Sequence, residues 1–299
     1  MAKPYVGRFA PSPTGHLHFG SLFVAIVSYL DAKSQGGRWL IRIDDLDPDR
    51  CKPEFTTSLL TTLAQFELCS DAPILFQSQR SRAYRAAAYQ LYQEKHLYPC
   101  SCSRKKLSAY KGVYPGFCRR HSPPIAWPLH PGSALALRIK TSPETQLKVK
   151  DIWRQTQISN TTHIGDFIVY RRDQVATYSL ATVLDDAHQE ITYVIRGSDL
   201  LEETFKQNLL QQTLKLPQPE YGHLPLIVNK NGQKLSKQNR ASPIRADEAR
   251  FDPMRYLAQL EPYLGVSIPK HTDHPKRWLA LATDTWRRNQ IPEIQQIVR

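Results

Sequence analysis

The chain has 299 residues, with 40 Lys and Arg against 27 Asp and Glu and a formal charge of +13; such a basic excess favours a polyanionic partner. No apolar run approaches the roughly 20 residues that span a bilayer, and the N-terminus lacks a signal-peptide pattern, so a soluble, cytoplasmic and monomeric protein is expected. Five cysteines, three of them between Cys100 and Cys118, argue against a disulfide scaffold.

In chain order, the apolar run at 5–9 reads as a strand, and Pro11, Pro13 and Gly15 force a turn. Leu22, Phe23, Ile26, Val27 and Leu30 keep helical spacing over 21–35, and Gly36-Gly37 stops that helix. A buried strand follows at 39–43. Strand, helix, strand with a loop at the carboxyl end of the first strand predicts a doubly wound, Rossmann-type α/β fold with a parallel sheet. Helices are predicted over 53–66 and 81–97, with a short strand at 74–76 between them.

The pattern breaks over 98–165, which holds the cysteine cluster, a proline-rich stretch (Pro123, Pro124, Pro128, Pro131) and a strand signal at 134–139. This reads as an inserted module. Regular patterning resumes with strands at 166–170 and 192–196, helices near 178–185 and 200–214, and a strand at 224–228. Beyond Asp252, helical segments separated by Pro262, Pro269 and Pro275 suggest a small C-terminal helical appendage. The expected organisation is therefore 1–97 and 166–240 as two halves of one catalytic domain, 98–165 inserted between them, and 241–299 appended.

The stretch from Arg8 to Ser21 carries the first chemistry. A strand, a tight loop and a helix N-terminus form an anion cradle, because unpaired N–H groups and the positive end of the helix dipole face the loop. Gly20 allows close approach to the backbone, and His18 offers an imidazole to a phosphate. The alternative reading is a shaped loop with solvated His16 and His18.

Ala10-Pro11-Ser12-Pro13-Thr14-Gly15-x-Leu17-His18-x-Gly20 resembles the first signature of class I aminoacyl-tRNA synthetases in the form used by the glutamyl group, with Ser21 where other members carry a second histidine. Lys234-Leu235-Ser236-Lys237 resembles their second signature and follows the inserted module, as it does in that family. The resemblance implies attack of a glutamate carboxylate on the α-phosphorus of ATP, departure of pyrophosphate and formation of glutamyl-adenylate. Charge builds on the phosphoryl oxygens, so donors fixed beforehand lower the barrier. His18 and Lys237, supported by Lys234, are the candidate catalytic groups. His18, Gly20 and Lys237 are expected to hold ATP, with Mg²⁺ on its phosphates.

Glutamate needs partners for two carboxylates and an ammonium. Arg8 and Arg196 suit the carboxylates, since a guanidinium binds them in bidentate fashion. By resemblance Arg8, Phe9, Ala10, Pro11 and Ser12 line the glutamate pocket together with Tyr178 and Arg196; core packing is the alternative for Tyr178. The family commonly has Arg-Ile-Glu-Asp where this chain has Arg42-Ile43-Asp44-Asp45. Asp44, the group implied for the ammonium, thus keeps the charge and loses a methylene of reach.

Cys100-x-Cys102 and Cys118 favour a structural zinc over a disulfide in a reduced protein. Chemistry alone offers His121 as the fourth ligand. The resemblance instead implies Tyr114, because 112–118 is similar to a segment of glutamyl-queuosine members of the family in which a tyrosine oxygen completes the site. The same members carry the Lys-Leu-Ser-Lys-Gln-Asn pattern of 234–239 and lack the large anticodon-binding region of ordinary glutamyl enzymes. They activate glutamate without tRNA and esterify the queuosine of tRNA(Asp), so this chain is expected to bind ATP, L-glutamate and queuosine-containing tRNA(Asp). Phosphate contacts would make RNA binding salt-dependent, and loop bases could stack on exposed aromatics. The alternatives are a truncated conventional enzyme acting on the 3′ end of tRNA(Glu), and a non-catalytic RNA-binding module.

Overall fold

The computed structural model describes residues 3–110, 113–121, 135–142, 145–228, 243–292 and 296–298. The elements run β1 Val6–Phe9, α1 Phe19–Ser34, β2 Arg38–Ile43, α2 Pro53–Gln65, β3 Leu75–Phe76, α3 Ser81–Gln93, β4 Leu97–Cys100 and α4 Arg104–Leu107. There follow β5 Ala136–Ile139, β6 Gln146–Val149, β7 Gln157–Asn160, α5 Thr161–Ile164, β8 Ile168–Tyr170, α6 Tyr178–His188, β9 Tyr193–Gly197 and α7 Leu201–Thr213. The last are β10 Glu220–Leu224, β11 Leu226–Val228, α8 Pro253–Leu264, α9 Pro275–Thr285 and β12 Gln296–Val298. No described helix is long and apolar enough to cross a membrane.

A five-stranded sheet in the order β10-β9-β1-β2-β3 has every pairing parallel. The chain leaves β1 for β2 on one side and later returns as β9 on the other, so the carboxyl end of β1 is a topological switch point. Ligands of doubly wound sheets bind at such a crevice. The register Val6↔Arg38 to Phe9↔Ile41 sets Arg8 beside Leu40, while β9 and β10 set Arg196 beside His223.

α1 forms because its apolar residues fall on every side that meets protein: Leu22, Ile26, Val27 and Leu30 are fully buried. His18 caps its start, accepting a hydrogen bond from the Ser21 N–H at 3.2 Å. Gly36, at φ 63°, ends it in the left-handed region that glycine tolerates. Each fully buried Leu or Ile contributes roughly 1.5–3 kcal/mol, so this helix anchors the layer beneath the switch point.

A three-stranded antiparallel sheet, β4-β5-β8, pairs Leu97 with Ile139 and Arg138 with Ile168. It therefore crosses both boundaries expected at 97 and 165. Leu97, Leu137, Ile139 and Val169 share a core with Tyr84 and Leu91 of α3 and Leu180 and Val183 of α6. The β6-β7 hairpin, which the sequence did not signal, packs Leu147 and Val149 with Phe205 of α7.

The helices beyond Asp252 do not stand apart as an appendage. Leu257, Leu260 and Leu264 of α8 and Trp278 and Leu279 of α9 lie in one core with Phe23, Ile26 and Leu30 of α1. Asp31, fully buried, clamps the join: it accepts from Tyr5 Oη at 2.6 Å, Trp286 Nε1 at 3.2 Å, and Arg288 Nε and Nη2 at 2.8 and 2.9 Å.

Candidate active site

A cavity of about 790 Å³ opens where β1 and β9 end and α1 begins, and Arg8, Phe9, Ala10, Pro11, Ser12, His18, Gly20, Tyr178 and Arg196 all line it. Residues implied for glutamate and for ATP thus share one space. Arg50 lines it too, at the end of the acidic stretch 44–50 that follows β2 on the edge where such sheets bind ligands; Asp199 also lines it and carries no local signal.

His18 is held in one tautomer. Its Nδ1 accepts the Ser21 N–H, so Nε2 carries the proton and donates to Ser21 Oγ at 2.9 Å. Ser21, where other members have their second histidine, therefore orients the imidazole that faces the cavity.

Arg8 is 3% exposed, and its Nε donates to Asp186 Oδ1 at 3.3 Å. Arg42 Nη1 donates to the same oxygen at 2.6 Å, and Arg42 Nε donates to Asp44 Oδ1 at 2.8 Å. Burial pushes the Asp186 carboxyl up, but Arg8 and Arg42 outweigh it and hold the group below the usual carboxylate range. Asp44 behaves in the opposite way. Burial dominates over the pull of Arg42 and Arg8, and its pKa is raised to about 6. Asp44 does not line the cavity; it is 5% exposed, with Oδ2 buried and without a hydrogen-bond partner. The short side chain thus gives one oxygen to Arg42 and leaves the other over.

Arg196 is 3% exposed. Its Nη1 reaches Tyr178 Oη at 3.4 Å and its Nη2 donates to Thr204 Oγ1 at 2.6 Å. Among the described residues it makes no ion pair with a carboxylate, unlike Arg8.

Lys234 and Lys237 lie outside the described residues. The two ends of their segment do not: Ile227 of β11 lines the cavity, β11 pairs in parallel with β12, Pro243 bridges to His18, and the Ile244 N–H donates to Leu17 O at 2.8 Å.

The Sγ atoms of Cys100, Cys102 and Cys118 lie within 4.8 Å of one another. Tyr114 Oη stands 3.5 Å from Cys100 Sγ and 3.4 Å from Cys102 Sγ, and accepts the Cys118 N–H at 2.8 Å. Three thiols and a phenol oxygen converging on one point are a donor set that fits zinc. Hydrogen bonds from Tyr114 and neighbouring groups overcome burial and lower Cys118 to about 6, a thiolate-forming environment. Arg138 stacks its guanidinium 3.8 Å from the Tyr114 ring centroid. His121 is exposed and does not join the cluster.

A parallel sheet with its crevice at β1, a capped helix pointing into that crevice and buried arginines around it define a catalytic domain of the class I synthetase type. The comparison with known families agrees: the family described as tRNA synthetases class I (E and Q), catalytic domain, matches residues 5–260. The chain belongs to that family, and is a class I synthetase-like ligase. It is 41% identical over 294 residues to a glutamyl-Q tRNA(Asp) synthetase of Pseudomonas putida, covering 97% of this chain and 93% of the relative. It is 44% identical over 250 residues to a protein of that name from Ectopseudomonas mendocina, covering 83% and 82%. Among solved structures it resembles a glutamate tRNA ligase from Elizabethkingia meningosepticum in complex with its amino acid, with TM-score 0.78 and 22% identity over 98% of this chain and 67% of that one. A glutamate-tRNA synthetase from Elizabethkingia anophelis gives TM-score 0.79 and 23% identity, over 99% and 68%. At these identities the two structures speak for the fold.

Proposed function

We propose that the protein activates L-glutamate with ATP to glutamyl-adenylate in the absence of tRNA, and transfers the glutamyl group to the queuosine at the wobble position of tRNA(Asp). The observation that carries this reading is the single cavity in which two buried arginines face the His18-capped start of α1. The names of relatives above 40% identity support the substrate.

In this reading Arg8 to Ser12, Tyr178 and Arg196 bind glutamate, and Asp44 Oδ2 takes the ammonium directly or through a water. His18 Nε2 donates to a phosphate oxygen in place of Ser21 Oγ, and Gly20 lets the nucleotide approach the helix N-terminus. Lys237, with Lys234, stabilises charge that develops as the α-phosphorus passes from pyrophosphate to the carboxylate. Mg²⁺ bound to ATP would supply charge neutralisation at its phosphates. Cys100, Cys102, Tyr114 and Cys118 would hold a structural zinc that stiffens a module with little apolar core of its own.

The corresponding organisation is 1–97 and 166–240 as the catalytic unit, 98–165 as a zinc- and RNA-binding module and 241–299 as its helical support. The protein works as a cytoplasmic monomer, with its net positive charge meeting the tRNA backbone. The test is glutamate-dependent ATP–pyrophosphate exchange without RNA, then transfer of labelled glutamate to tRNA(Asp) with and without queuosine. Exchange without RNA and label only on the queuosine-containing tRNA, both lost in Lys237→Ala, is expected. Exchange that begins only when tRNA(Glu) is added overturns the reading.

A further inference from the structure

Arg8 and Arg196 are equally buried but are held in opposite ways. Asp186 neutralises Arg8 directly. Arg196 is gripped by neutral groups: Nη2 donates to Thr204 Oγ1 at 2.6 Å, and Nε points at His223 Nε2 at 3.4 Å. The two partners also meet each other, Thr204 Oγ1 lying 2.8 Å from His223 Nε2. On the far side of the ring, His223 Nδ1 lies 2.5 Å from Asp151 Oδ2.

With a neutral ring these contacts place the His223 proton, while the Thr204 hydroxyl can donate to His223 Nε2 or to Leu200 O at 3.1 Å. Asp151 is an acceptor only, so His223 Nδ1 donates to it and Nε2 keeps a lone pair. That lone pair faces the Thr204 hydroxyl and the Arg196 N–H. Burial, together with the nearby Arg196 and Arg154, outweighs Asp151 and holds the His223 imidazolium below its ordinary range, which keeps the ring neutral. The second Asp151 oxygen is also used, accepting the Trp153 N–H at 3.0 Å.

The scaffold fixes each member. Arg196 and His223 are register partners on β9 and β10. Thr204 comes from the first turn of α7 and is fully buried, as is His223. Asp151 is seated by a bridge to Tyr221 and by the Ile152 N–H, which donates to Tyr221 O at 2.8 Å. Trp153 closes over Gly222, where a Cβ would stand 2.4 Å from its ring. A polar chain this deep costs stability unless every member is satisfied, and its open end is the guanidinium that lines the cavity.

We propose that Asp151, His223 and Thr204 form a positioning relay that fixes the Arg196 guanidinium for a substrate carboxylate while leaving its charge uncompensated. It rests on the reading that Arg196 receives a carboxylate of glutamate. A direct Asp partner would spend that charge within the protein; neutral acceptors set the geometry and leave the cation to the ligand.

The test measures L-glutamate and ATP binding separately by titration calorimetry, on the intact protein and on folded variants. Thr204→Val removes the hydroxyl at nearly constant shape and is expected to weaken glutamate by about ten-fold, the worth of a hydrogen bond to a charged group, with ATP affinity unchanged. Thr204→Ser restores the hydroxyl and recovers glutamate binding. Asp151→Asn, which removes the charge that holds the Nδ1 proton, weakens glutamate selectively as well. A merely structural role would lower the folded fraction or weaken both ligands, without the recovery by serine. Arg196→Lys separates the two layers. Glutamate binding lost in Arg196→Lys but intact in Thr204→Val or Asp151→Asn overturns the relay. Binding intact in Arg196→Lys overturns the assignment of Arg196 and the relay with it.

Discussion

Replacing Asp44 by Asn removes a carboxyl whose ionisation the folded protein resists. Its pKa rises from 3.8 to about 6 because burial outweighs the attraction of Arg42 and Arg8. At 1.36 kcal/mol per pKa unit, this shift makes the ionised group cost about 3 kcal/mol at neutral pH. A carboxyl raised in the folded state favours folding when protonated. Its contribution is therefore complete below pH 3.8 and is lost as the pH rises through about 6. Asp186, held low by the two arginines, acts in the opposite sense and only below its ordinary range. The assay is urea unfolding of the wild type and Asp44→Asn at intervals from pH 4 to 7.5. The constant offset between them reports the exchange of a carboxyl for an amide at Arg42 Nε. The slope of the difference reports Asp44, with the wild type losing about 2–3 kcal/mol relative to the variant across the range. Parallel stability profiles would falsify the reasoning, because they would mean that Asp44 binds its proton equally in the folded and unfolded chain.

If the ammonium of glutamate reaches Asp44 Oδ2, binding at pH 6 expels about half a proton; calorimetry in buffers of different ionisation enthalpy detects it, and Asp44→Asn abolishes it. Tyr114→Phe is expected to reduce zinc affinity at least about ten-fold, the cost of disturbing even an outer contact, whereas His121→Ala leaves zinc content intact. Metal analysis of both variants checks this, and the reverse pattern assigns the site to His121. Asp31→Ala, which strands Tyr5, Trp286 and Arg288 together, should cost about 3 kcal/mol of stability; a urea midpoint unchanged from the wild type would contradict the clamp.

What the sequence reveals is what local chemistry encodes. The loop after β1 is legible because Pro11, Pro13, Gly15 and a helix cap lie within a few residues, and the cavity collects every residue expected there from Arg8 to Gly20. Tyr178 and Arg196 join it because resemblance, not spacing, points to them. The groups that tune the site carry no local signal. Asp186 meets Arg8 across 178 positions and reads in sequence as an ordinary acid on a helix. His223 and Asp151 are 72 positions apart and become partners only when β10 docks against the segment after β6. The C-terminal helices are legible only in part: Pro253 and Pro275 open α8 and α9, but Pro262, expected between helices, lies inside α8, and nothing local marks the face of α1 that receives them. Asp44 is legible only in part. Its charge type suits an ammonium, but its burial beside Arg42, which raises its proton affinity, carries no local signal.

The pairing of β11 with β12 has a consequence for how the protein is made. β11 leads into the segment that carries Lys234 and Lys237, but its parallel partner is translated only at 296–298. All strands of the five-stranded sheet and both arginines of the cavity precede β11 in the chain, whereas the helices that complete the core around α1 follow it. The strand that tethers the entrance to the lysine segment must wait. Chains interrupted before residue 296 would thus carry β11, whose Ile227 lines the cavity, without its partner strand.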